Sequence, residues 1–105
     1  MVSEHYKRTR NQREKFIDEH FNDGYLVDEF IVDRGHPHGA ERHCVMSNAV
    51  VVIYNLSSGK LITKLLARPQ QIKRYYENSG REPPLEYENI LKLAHQHNVA
   101  GYNKL

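Results

Sequence analysis

At 105 residues the chain suits one compact domain, and its seven Tyr, three Phe and dense Val/Ile/Leu block argue against full disorder despite a hydrophobic share of only 39%. The longest apolar run, Ala49–Tyr54, is far shorter than the roughly 20 residues of a membrane helix, and residues 1–21 lack the apolar stretch of a secretory signal. The lone Cys44 excludes an intramolecular disulfide framework, so a cytoplasmic protein with no membrane partner is expected; the net charge of +2 conceals strong segmentation along the chain.

A helix is predicted over 3–21, with Ser3 as its cap and Tyr6, Phe16, Ile17 and Phe21 near one face. Asn22-Asp23-Gly24 stops it, with Gly24 expected in a left-handed position. Residues 16–33 hold six acids and no Lys or Arg, whereas 34–76 hold seven Lys/Arg against Glu41 alone. Tyr25–Val32 reads as a strand, Asp33–Gly39 as a turn with two Gly and one Pro, and Ala40–Met46 as a second strand. Ser47-Asn48 leads tightly into Ala49–Asn55, the most β-like run, and Ser57-Ser58-Gly59 into a fourth strand, Lys60–Ala67. Such short turns favour an antiparallel meander. Pro69 suits the first position of a helix running to about Glu77, Pro83-Pro84 breaks the chain, and Leu85–Asn98 forms a last helix with Tyr87, Ile90, Leu91 and Ala94 on one face, before a tail from Val99.

The expected fold is thus α+β in a single domain: an N-terminal helix (1–22), a roughly four-stranded antiparallel sheet (25–68) and C-terminal helices (69–98). If the helices lie on one side, the other sheet face is free to bind, and the cationic block 34–76 suits a phosphate backbone or an acidic protein; its Lys and Arg equally serve to blunt sheet edges.

The densest polar constellation is Arg34-Gly-His36-Pro-His38-Gly-Ala-Glu41-Arg42-His43-Cys44. Strand alternation sets Glu41, His43 and Val45 on one face and Arg42, Cys44 and Met46 on the other, so Glu41 either orients the His43 imidazole for general base work or is simply its solvated neighbour. In the fourth strand Leu61, Leu65 and Ala67 mark a core face on which Thr63 is the one hydroxyl, a buried structural group or a catalytic one. Arg68, at the junction of that strand with the helix, can face a phosphate together with the helix N-terminus, or pair with Glu41. Gln70, Gln71, Lys73, Arg74, Tyr75 and Tyr76 follow, suited to backbone contact and base stacking, although Ile72 and one of the tyrosines fit the core. His36, His38, His43 and Cys44 are all zinc-ligand types, but the spacing of closed zinc sites is absent and neighbours 43 and 44 point oppositely on a strand; His95 and His97 do not share a helix face. No Gly-rich phosphate loop, HExxH, GxSxG or CxxC occurs.

The run Arg34–His43, then Ile53-Tyr-Asn, Ser58–Pro69 and Gln71-Ile-Lys-Arg-Tyr-Tyr76, resembles short proteins of Gram-positive bacteria and their prophages. The order of elements is similar to that of the small metal-independent ribonucleases that include barnase, the EndoU enzymes, tRNA-cutting colicins and RelE-type toxins. That resemblance implies a catalytic sheet face on which the RNA 2′-hydroxyl attacks its own 3′-phosphate. His43 or Glu41 would be the base, His36 or His38 the acid, and Arg68 with Arg42 or Lys64 the phosphate clamp; Thr63 remains a further catalytic candidate from the strand pattern. Arg34, Lys73, Arg74, Tyr75 and Tyr76 would extend the nucleic-acid contact, no cofactor being needed.

The leading expectation is therefore a nucleic-acid-binding protein acting as a toxin-like endoribonuclease, with RNA and an acidic inhibitor or antitoxin as partners. The alternatives are a non-enzymatic phage or mobile-element accessory protein binding nucleic acid or an acidic partner, and a zinc-stabilised binding module.

Overall fold

The computed structural model describes residues 2–102, with side chains from residue 11 onward. The expected Ser3 cap and Tyr6 contact, and residues 103–105 of the expected tail, lie outside what is described. Helix α1 (Val2–His20) precedes strands β1 (Leu26–Asp33), β2 (Ala40–Met46), β3 (Val50–Asn55) and β4 (Leu61–Leu66), then helices α2 (Pro69–Ser79) and α3 (Tyr87–Val99). The sheet is an antiparallel meander in the order β1-β2-β3-β4, so the α+β architecture read from the sequence stands. Among the described residues no helix is long and apolar enough to cross a membrane.

The alternation of the strands feeds two cores rather than one. Val45, Val51, Ile53 and Phe30 face α2 and α3, where they meet the fully buried Ile72, Ile90 and Ala94. Val50 and Leu66, cross-strand partners on the opposite face, receive Ile17 of α1, flanked by Phe16, Phe21, Met46 and Val52. The expectation of helices on one side and a free sheet on the other is therefore corrected: β3, the most apolar strand, needs cover on both faces, and helices supply it on both. Its Val50 is 3% and its Val51 0% exposed.

Local chemistry explains two departures within this frame. A bulge between Ile53 and Tyr54 in the β3–β4 register resets the phase of β4, so Leu61, expected in the core, is 48% exposed, while Ile62 joins Leu65 against the core. Gly24 does not adopt a left-handed backbone; a side chain there would stand 2.5 Å from Asn48 Oδ1, so glycine is needed for close approach. The Asn48 amide so admitted donates to Phe21 O at 3.1 Å, which ties the end of α1 to the β2–β3 turn.

Candidate functional site

Arg68 follows β4 and is the N-cap residue of α2, with extended backbone (φ −86°, ψ 153°), no side-chain cap bond, and Pro69 in the first turn. No acidic residue compensates the positive end of this helix. Along α2 the residues spaced by one turn from Gln70 and Gln71, namely Arg74, Tyr75 and Asn78, share one side. Opposite them Arg34 leaves the end of β1, its N–H bonded to Gly39 O at 3.0 Å across the hairpin.

These elements enclose a cleft of about 670 Å³ bounded by the exposed Arg34, Arg68, Gln70, Arg74 and Asn78 and backed by Val32, His43 and Tyr75. No carboxylate lines it, and among the described residues none of the three guanidiniums forms an ion pair. The cleft is thus a concentration of positive charge, rich in N–H donors, with its fork-shaped donors unspent.

The back wall of the cleft carries a hydrogen-bonded chain. Gln71 Nε2 donates to Tyr75 Oη at 2.8 Å, which leaves the tyrosine proton for His43 Nδ1 at 2.6 Å; the imidazole Nε2–H then donates to Glu41 Oε1 at 2.9 Å. These partners assign the Nε2–H tautomer. Burial pushes the Tyr75 hydroxyl above its ordinary value; the Gln71 bond opposes this, the Glu41 charge adds to it and the Arg34 charge subtracts. The hydroxyl therefore stays protonated at neutral pH and can serve as donor.

No family model, curated protein or solved structure matches this chain.

The cleft gathers some of the residues expected from sequence and leaves others out. Arg34, Arg68, Arg74, His43 and Tyr75 line it. His43, read from the sequence as a base oriented by Glu41 or as its solvated neighbour, is bonded to Glu41 but only 4% exposed, because its strand face is the one that α2 covers and Tyr75 closes over the ring. Glu41 is spent on His43 and not on Arg68. Arg42 lies on the other sheet face beside Glu29 and Cys44, and Lys64, on that face too, is paired with Asp18 of α1 at 2.6 Å; neither can join Arg68 in a phosphate clamp. Thr63 accepts from Arg13 Nη2 at 3.2 Å, away from the cleft. His36 and His38 are exposed on the β1–β2 loop and do not line the cleft, and Lys73 is exposed on α2 outside it.

Tyr75 and Tyr76 are both core residues, which removes them as base-stacking platforms. Tyr75 stacks on Phe30 at 5.0 Å, and Tyr76 meets Phe30 and Tyr87 edge-on, its hydroxyl donating to Asp28 Oδ2 at 2.7 Å. The zinc arrangement is not assembled: His43 turns to Glu41 and Tyr75, Cys44 to Glu29 at 3.8 Å on the opposite face, and among the described residues no group of three or more His, Cys, Asp or Glu is clustered as ligands. Sequence reasoning missed Asn78 as a cleft residue and Arg81 altogether. Asn78 was findable as the residue one turn beyond Arg74; Arg81 carried no local signal, since its partners Asp28, Glu29 and Phe30 lie about 50 positions earlier.

Proposed function

We propose that this protein binds nucleic acid by seating backbone phosphate in the Arg34–Arg68–Arg74 cleft. The observation that carries this reading is the concentration of three guanidiniums without a carboxylate partner around one opening, at the uncompensated N-terminus of α2. A carboxylate in the cleft would have neutralised them; none lines it, and Glu41 beside its back wall is held by His43. The donors of Gln70, Gln71 and Asn78 add neutral contacts of the kind that sugar and phosphate oxygens accept. Binding of a fluorescent single-stranded RNA, measured against salt, tests this. A linear fall of log affinity with log salt that becomes shallower in Arg68→Ala and Arg74→Ala supports it; salt-independent binding or none refutes it.

A second reading, metal-independent endoribonuclease, is favoured by one observation, the Gln71–Tyr75–His43–Glu41 chain that opens on the same cleft. Both imidazole nitrogens are engaged, so His43 would act through Tyr75. The phenol oxygen takes the proton of the RNA 2′-hydroxyl as its own proton passes to His43 Nδ1, and Glu41 stabilises the imidazolium so formed. The 2′-oxygen attacks the adjacent phosphorus as the P–O5′ bond breaks, leaving a 2′,3′-cyclic phosphate; the departing 5′-oxygen takes a proton back from the imidazolium by way of the Tyr75 hydroxyl, and the guanidiniums hold the charge that develops. Cleavage of RNA in excess EDTA, lost in Tyr75→Phe while binding persists, supports this reading; intact RNA after prolonged incubation leaves the binding reading alone.

A further inference from the structure

A second cavity adjoins the arginine cleft. It measures about 350 Å³, shares Val32, Tyr75 and Asn78 with the cleft, and continues past them to Phe30, Ile31, Ser79 and Arg81. Its chemistry differs from that of its neighbour: aliphatic and aromatic side chains predominate, and the one guanidinium present is already engaged. Arg81 lies 4.5 Å over the Phe30 ring, pairs with Asp28 at 2.8 Å and donates to Glu29 O at 3.0 Å.

This cavity also lies on an open strand edge. β1 is the outermost strand of the sheet beside β2. Because the N–H of Arg34 points to Gly39 across the hairpin, antiparallel alternation turns the backbone of Glu29, Ile31 and Asp33 away from the sheet. Glu29 O confirms the direction, since Arg81 takes it from outside. Ile31 thus presents one N–H donor and one C=O acceptor at the cavity, and the exposed Asn78 amide, free of partners among the described residues, stands where the two cavities join.

We infer that this cavity is a base subsite: a single-stranded nucleic acid lays a phosphate among Arg34, Arg68 and Arg74 and its neighbouring base against Val32 and the exposed guanidinium of Arg81, whose inner face covers the buried Phe30, with its polar edge on the Ile31 backbone and Asn78. The inference rests on the phosphate-binding reading above and deepens it. An apolar cavity alone would not specify an occupant, but its continuity with an anion site requires a ligand that is anionic at one end and flat, apolar-faced and hydrogen-bonding at the other, and a nucleotide has that form. A duplex, with its bases already paired and stacked, cannot present one.

The test is fluorescence anisotropy of the full chain with a short single-stranded RNA, the same strand with abasic residues, and its duplex. The intact strand is expected to bind about tenfold more tightly than the abasic one, as one buried base contributes. Asn78→Ala, on the exposed face of α2, should weaken the intact strand more than the abasic one, and Ile31→Pro, which removes an outward N–H without taking a ladder bond, should weaken only the intact strand. Equal affinity for intact and abasic strands, still lost in Arg68→Ala, overturns the base subsite while leaving the phosphate cleft in place. Failure of every strand to bind overturns both. Tightest binding of the duplex also overturns the base subsite.

Discussion

The hydroxyl of Tyr75 lies 2.6 Å from Nδ1 of His43, joining a strand to a helix 32 positions further along the chain. The contact is buried, and it gives Nδ1 of the imidazole the partner it would otherwise lack in the core, Nε2 being held by Glu41. It also closes α2 over the sheet beside the arginine cleft, so one bond serves both the packing and the wall of the site.

Tyr75→Phe keeps the ring stacked on Phe30 but leaves His43 Nδ1 without its donor. A loss of about 1–3 kcal/mol is expected from an unsatisfied buried acceptor, read as a lower urea midpoint with unchanged slope.

Each of Arg34→Ala, Arg68→Ala and Arg74→Ala should weaken binding of single-stranded RNA and reduce the slope of log affinity against log salt by about 0.7, the value for one lost phosphate contact. Arg42→Ala and Lys64→Ala should leave that slope unchanged, since both side chains lie on the opposite sheet face. All five variants should remain close to wild type in stability. The partly exposed Lys64–Asp18 pair contributes at most about 1 kcal/mol.

Ile17→Ala tests the seating of α1. Ile17 is 2% exposed against Val50 and Leu66, and its truncation should cost about 2–5 kcal/mol through lost burial and the cavity left behind. A much smaller loss in the denaturation midpoint would mean that α1 does not cover this face.

His97 supplies a pH dependence. It is 7% exposed, edge-on to Phe21 at 4.8 Å, with Nδ1 lacking a partner among the described residues, and burial holds its imidazole below the ordinary value of 6.5. The unfolded chain, with the ordinary value restored, binds the extra proton more readily. The stabilisation from a neutral His97 is therefore complete above about 6.5 and is lost as pH falls below it toward the lowered folded value. Urea midpoints measured from pH 7.5 to 5 should fall in the wild type and fall less in His97→Phe, which retains the ring contact.

The element order was legible in the sequence because it rests on local chemistry. Ala40–Met46 is bounded as expected, Pro69 begins α2, and Gly80 ends it at φ 65°. The cationic character of 34–76 was equally plain, and Arg68 was recognisable at a strand–helix junction.

Which cations converge was not legible, since it depends on which sheet face each helix covers and on a one-residue bulge in β4. Alternation alone could pair His43 with Glu41 but not foresee Tyr75 closing over it. Nor could it separate Lys64, drawn to Asp18 on α1, from Arg68 only four positions later. Residue spacing along a strand sets relative facing, a local property of the backbone; whether a face is wet or covered is decided by helices distant in sequence. The chain itself thus prescribed an α+β meander with a basic centre, and only tertiary packing chose three arginines from that centre and assembled them around one opening.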